Sequence, residues 1–225
     1  MVYALADKGA KLLNMRDASK LVEVEWARKN RAAGRPFIEH ALAIADLHVA
    51  LVTACRRRPD VHLVDADQLI GDFPHPPTSP ERAFAWQTQV PRNGVMHTIT
   101  VKPDYAFGLR SPAISRRCYI VECDRGTMPL ERADFLQTSI ERKFSAYING
   151  YANKLHESQF GWKAFRILVV TNTEDRARNM RTTLAKLTNA NHIRRLFYFT
   201  HAPALTNDVL THPWIDGNEQ PQVLI

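Results

Sequence analysis

"CYIVECDRGT", residues 118–127, is a buried-strand pattern that ends on two carboxylates, Glu122 and Asp124. Side chains two apart on a strand point to one face, so both acids are expected to project the same way. Upstream, "MHTITVKPDYAFGLR", residues 96–110, is a strand of β-branched and aromatic residues with Pro103 inside it. A proline there calls for an edge position or a bulge, which re-aims the next residue, Asp104. "RSPAIS", residues 110–115, joins the two strands as a hairpin. An ordinary register then sets Asp104 beside Glu122 and Asp124.

Outward from this hairpin the chain alternates helices and strands. "PFIEHALAIADLHVALVTACRR", residues 36–57, is a long helix with proline in its first turn and few polar interruptions, hence expected to be buried on most sides. "VHLVDADQLI", residues 61–70, alternates like a half-buried strand, with "DADQ" (65–68) at its surface end. The proline-rich "GDFPHPPTSPER", residues 71–82, is a loop. A helix is expected from about Leu130 to His156, with Ile140, Phe144, Tyr147, Tyr151 and Leu155 as its apolar stripe. "FRILVVTN" (165–172) has the near-continuous apolar run of a central parallel strand. "EDRARNMRTTLAKLTNA" (174–190) is an amphipathic helix capped by Thr173 or a nearby residue, and "RRLFYFTH" (194–201) is a last strand. The implied class is α/β, with a mixed central sheet flanked by helices on both faces. Residues 1–34 form a separate, charged N-terminal segment that opens on a short strand and helical turn, and residues 35–225 the main domain.

The chain has 225 residues and a net charge of +7, with a pI near 9.5. Its basic residues cluster in "CRRRPD", "ISRRC", "IERK" and "HIRRL". Such a balance favours a polyanion, DNA or RNA, over a merely solvated basic surface. No apolar run near 18 residues and no signal-peptide pattern is evident, so a cytoplasmic protein with no membrane partner is expected. The three cysteines lack a C-x-x-C pair, which argues against a disulfide framework or a zinc cluster.

Three carboxylates on neighbouring strand ends repel one another unless a cation sits between them. Mg2+ or Mn2+ is the economical choice, since both prefer oxygen ligands. Beside a basic surface, that points to phosphodiester hydrolysis.

"KPD" followed by "VECD" in an αβββαβ order, continued by a further αβ, resembles the PD-(D/E)xK, or restriction-endonuclease-like, nuclease superfamily. The resemblance implies that Asp104 and Glu122 share a metal. Asp124 stands where that pattern has its lysine. The following helix carries "KFSAY", with Lys143 and Tyr147 four apart on one face. Some members carry a lysine relocated to this helix, and Lys143 is the candidate; otherwise its stem runs along the core edge toward water. A narrower resemblance is to the replication-relaxation family of plasmid and mobile-element proteins. It rests on Tyr3 to Leu13, "HALAI" at His40, "KPDYAF", "ECDRGT" and "KFSAY", and there an acid at the position of Asp124 is usual. It implies that residues 1–34 are a winged-helix remnant whose recognition helices lay upstream.

The expected functional residues are therefore Asp104, Glu122, Asp124 and Lys143 for catalysis, the three acids and Glu39 for metal. Arg125, Thr127, Lys102 and Tyr147 are expected to contact nucleic acid. Glu39 has a plainer explanation as a first-turn acid facing the helix dipole, and His40 and His48 as satisfied core residues, although His40 matches the family pattern. Trp86 and Trp162 are open between core and base stacking. Two functions remain: a Mg2+- or Mn2+-dependent DNA endonuclease or nickase of a mobile element, or a nuclease-fold factor that binds DNA or replication and mobilisation proteins without cutting. Cutting both strands would call for two active sites, as in a homodimer.

Overall fold

The computed structural model describes residues 34–225 except 76, 78, 80–81 and 206–207; the expected N-terminal strand and winged-helix remnant lie outside them. The chain divides into two compact units, Met1–Ala43 and Ile44–Ile225. Of the first, the described part is the start of helix α1 (Arg35–Arg56).

In the second unit α1 buries Leu47, Leu51, Ala54 and Cys55, the spacing of one helical face. It is not buried on most sides as expected: Val49 is 61% exposed. By length and composition α1 would be able to cross a membrane, although no unbroken apolar run near 18 residues was expected. Its stripe of buried residues is equally that of a core helix.

The main sheet has seven strands among the described residues, in the order β1-β4-β5-β6-β7-β8-β9. These are β1 (His62–Val64), β4 (Tyr105–Ser111), β5 (Ile114–Cys123), β6 (Phe165–Thr171), β7 (Phe197–His201), β8 (Trp214–Asp216) and β9 (Pro221–Gln222). β4 runs antiparallel to both its neighbours, β1 and β5; β5, β6 and β7 run parallel; β8 pairs antiparallel with β7, and β9 antiparallel with β8. Parallel neighbours need long crossovers. These are helices α3 (Ile140–Ala152) and α4 (Leu155–Phe160) between β5 and β6, then α5 (Glu174–Leu187) and α6 (Asn191–Arg194) before β7. β6 is buried at all but one position, which is why its sequence hardly alternates.

Three local expectations are corrected. "DADQLIG" is no strand end: Asp65 caps helix α2 (Ala66–Gly71), and Asp65 and Gln68 form a reciprocal capping box. "MHTITVKPDYAF" is not one bulged strand. β3 (Val95–Val101) ends before Pro103, and the Lys102–Asp104 link passes the chain into a different sheet at β4. β3 pairs with β2 (Trp86–Arg92) in a separate hairpin. Its turn is Asn93-Gly94, both at positive φ (49° and 76°), the dipeptide that suits a tight hairpin. Finally, residues 130–139 are not helical. Asp134 accepts from the Leu136 N–H and Arg132 donates to the Thr138 carbonyl, local bonds that replace a helical ladder. α3 starts only where Ser139 caps the Arg142 N–H.

The core lies between α3, α5, the β2–β3 hairpin and one face of the sheet. Trp86 stacks on Phe160 and meets Tyr147 edge-on. Trp86 and Trp162 are both buried, so both belong to the core.

Candidate active site

β5 runs apolar through Cys118, Tyr119, Ile120 and Val121, then sets Glu122 into the interior, 5% exposed. A carboxylate there needs partners, and α3 brings two. Lys143 Nζ lies 2.5 Å from Glu122 Oε2, and the Tyr147 hydroxyl donates to Glu122 Oε1 at 2.5 Å. Both come from the same helical face because they are four residues apart, and the burial of Ile140, Phe144 and Tyr147 points that face at β5. Tyr147 is fully buried, so the expected contact with nucleic acid is closed to it; it braces Glu122 instead.

Asp104 opens β4 next to this pair. Its backbone N–H donates to the Val121 carbonyl at 3.0 Å, and its Oδ2 accepts from the Cys123 N–H at 2.8 Å. Burial pushes the Glu122 carboxyl above its ordinary value, Lys143 pulls it back and Asp104 adds to the rise. For Lys143, burial acts to lower the ammonium pKa, but Glu122 and Asp104 outweigh it and the net shift is upward. Lys143 is therefore a persistent positive charge rather than a base. The Cys123 thiol is pushed up to about 12 by burial, then by Asp104 and Glu122, which rules it out as a ready nucleophile.

The third acid goes elsewhere. Asp124 lies just beyond β5 and is held by Arg176 of α5, Nε to Oδ2 at 3.0 Å and Nη2 to Oδ1 at 3.1 Å. The Thr171 hydroxyl and the Gly126 N–H also donate to its Oδ2. The three carboxylates are therefore not gathered round one point, and among the described residues no group of three or more His, Cys, Asp or Glu side chains is set to hold a metal ion. Like-charge repulsion is relieved by two cations, Lys143 for Glu122 and Arg176 for Asp124. Sequence spacing gave no sign of Arg176, which lies 52 residues beyond Asp124.

Arg125 and the exposed Thr127 flank Gly126, whose φ of 77° makes the turn leaving β5. Lys102 is exposed in the link between β3 and β4. Glu39 pairs with Arg35 at 2.7 Å on α1, and His40 sits half-buried on the same helix; both belong to the first unit. His48 meets the Tyr105 hydroxyl at 2.9 Å, a satisfied histidine.

The sequence pattern of the replication-relaxation family matches residues 1–161. The chain belongs to that family. Membership of the replication-relaxation family links it to DNA and to plasmid replication or mobilisation. Asp104, Glu122, Lys143 and Tyr147 all fall inside the matched residues, whereas Arg176 lies beyond them. No curated protein and no solved structure matches the chain.

Proposed function

We propose that this replication-relaxation protein is a metal-dependent DNA endonuclease or nickase built on a restriction-endonuclease-like, PD-(D/E)xK core. The observation that carries the reading is Lys143 Nζ at 2.5 Å from Glu122, with Asp104 alongside. Two acids and an ammonium, drawn from β4, β5 and α3, form the constellation that the superfamily resemblance implies, with the lysine moved from strand to helix.

The donor set fits a hard cation that keeps most of its waters, because Mg2+ is commonly held by only one or two carboxylates. Asp104 and Glu122 would hold Mg2+ or Mn2+; Asp124, engaged by Arg176, would shape the turn. Bound there, the ion would supply charge neutralisation at the phosphate and an acidified water. Tyr147 fixes the Glu122 carboxylate in place. Lys143, charged at neutral pH, stabilises negative charge developing on the phosphate. Arg125 and Thr127, at the rim, are offered to the DNA backbone.

A second reading, a DNA-binding replication or mobilisation factor that does not cut, is favoured by one observation. Both Glu122 oxygens and both Asp124 oxygens are already engaged by protein donors. Supercoiled plasmid incubated with Mg2+ or Mn2+, beside Asp104→Ala and Lys143→Ala, separates the two. Metal-dependent conversion to open-circular or linear DNA, lost in both variants, supports the nuclease. Loss only in Asp104→Ala removes Lys143 from the mechanism, and absence of cleavage with DNA still bound moves the conclusion to the second reading.

A further inference from the structure

We propose that the cavity between β3 and the first turn of α3 is a subsite for a backbone phosphate of DNA, next to the one the candidate active site would take; this rests on the DNA-directed reading above. The cavity measures about 180 Å³ and is lined by Thr100, Lys102, Thr138, Arg142 and Lys143 over the buried Ile99 and Val101. Three cations and two hydroxyls face it, and no carboxylate is among the lining residues.

Like charges crowded round a small cavity repel one another unless an anion answers them. Lys143 is answered by Glu122. Among the described residues, Lys102 and Arg142 form no ion pair. The Arg142 Nε is buried with no hydrogen-bond partner, a costly condition for a charged donor. An occupant with several acceptor oxygens and negative charge satisfies all three cations together, and a phosphate has that chemistry. No aromatic ring lines the cavity, so nothing there stacks a base, and the subsite positions the strand without reading its sequence. Lys143 belongs to both places: it lines the cavity and bonds Glu122. The occupant is thereby set beside the acid pair. A larger cavity of about 560 Å³ around Arg181 and Arg194 differs in this respect, because Glu219 lines it and pairs with Arg181.

The test measures binding of the full chain to a labelled DNA duplex in chelator, from roughly 50 to 200 mM salt. Wild type is compared with Lys102→Gln, Arg142→Gln, the double variant and Lys186→Gln, which alters an exposed lysine elsewhere. Expected is a several-fold loss of affinity in each single variant and a fall of about 1 to 2 in the log–log salt slope of the double variant. Lys186→Gln should match wild type. Lys102 is exposed, so its variant keeps the test valid even if Arg142→Gln folds poorly. Unchanged affinity and slope in Lys102→Gln and in the double variant overturn the proposal. So does an equal loss in Lys186→Gln, which would mean a diffuse basic surface. Saturable binding of inorganic phosphate that Arg142→Gln abolishes, with duplex affinity unchanged in both single variants, also overturns it, in favour of a free phosphate. Because metal is absent throughout, a chain that binds DNA through this cavity yet never cuts it would retain the subsite and lose only the nuclease reading.

Discussion

Arg176 grips Asp124 with two prongs, Nε on Oδ2 at 3.0 Å and Nη2 on Oδ1 at 3.1 Å, and so ties the first turn of α5 to the end of β5. The Arg176 guanidinium also donates to the Met128 carbonyl. One side chain thus fixes the course of the turn that follows the acid pair.

Removing one partner of a buried ion pair strands the other. Side-chain exposure is 16% for Arg176 and 7% for Asp124. Arg176→Met should therefore destabilise the protein by on the order of 3 kcal/mol, at the lower end of that penalty because Thr171 and Gly126 still donate to Asp124. Adding Asp124→Asn should recover much of the loss. Urea denaturation of the two singles and the double closes a cycle; strictly additive losses would show that the pair is not coupled.

The Lys143–Glu122 pair sets a pH window. Lys143 is raised above its ordinary 10.5, so its contribution is complete below that value and lost as pH rises through the folded-state value. Glu122 is raised above 4.5 by burial, so the folded state holds that proton more tightly than the unfolded chain does. Stability from this group is therefore gained as pH falls through its folded value, while the ionic part of the pair disappears. The stability difference between wild type and Lys143→Met should form a plateau between these limits and shrink on either side. Denaturation midpoints measured across pH would reveal it, and a difference that is flat from acid to strongly alkaline pH contradicts the pairing.

Tyr147→Phe tests the brace on Glu122 separately. The ring keeps its packing against Trp86 and Phe197, and only the hydroxyl bond to Oε1 is lost. A loss of about 1–3 kcal/mol is expected for leaving a buried carboxylate oxygen short of a donor. Calorimetric unfolding that gives the same midpoint as wild type would mean that the hydroxyl is not engaged.

The parts of this fold that were legible in the sequence are those with local periodicity. The β4–β5 hairpin, the apolar β6 and α5 with its Thr173 cap follow from spacing and capping chemistry. Lys143 and Tyr147 are legible as a pair because a helix places residues four apart on one face. Other features were written in the sequence but outweighed. Asp65 and Gln68 spell a capping box, yet the alternation of the surrounding residues favoured a strand. Asn93-Gly94 marks the β2–β3 turn, while Pro91 and the polar residues of β2 masked its strand. Two features had no local signal. Arg176 meets Asp124 only because α5 follows β6, the parallel neighbour of β5. β8 and β9 span three and two residues, too short for any period to show.

The β2–β3 hairpin can be tested at Gly150. In an exposed helix, Gly→Ala stabilises by roughly 1 kcal/mol, since glycine loses more backbone freedom on folding. At Gly150 of α3 the sign should reverse. A Cβ there would lie 2.8 Å from Trp86 Cε2 and 3.0 Å from Cζ2. Trp86 is fully buried against Tyr147, Phe160 and Phe165, so the indole has little room to retreat, and overpacking of this kind costs about 1–3 kcal/mol. Gly150→Ala should therefore melt below wild type, and pairing it with Trp86→Phe should relieve part of the strain. A melting point at or above wild type for Gly150→Ala would mean that β2 does not press its tryptophan against α3, and that the hairpin sits elsewhere.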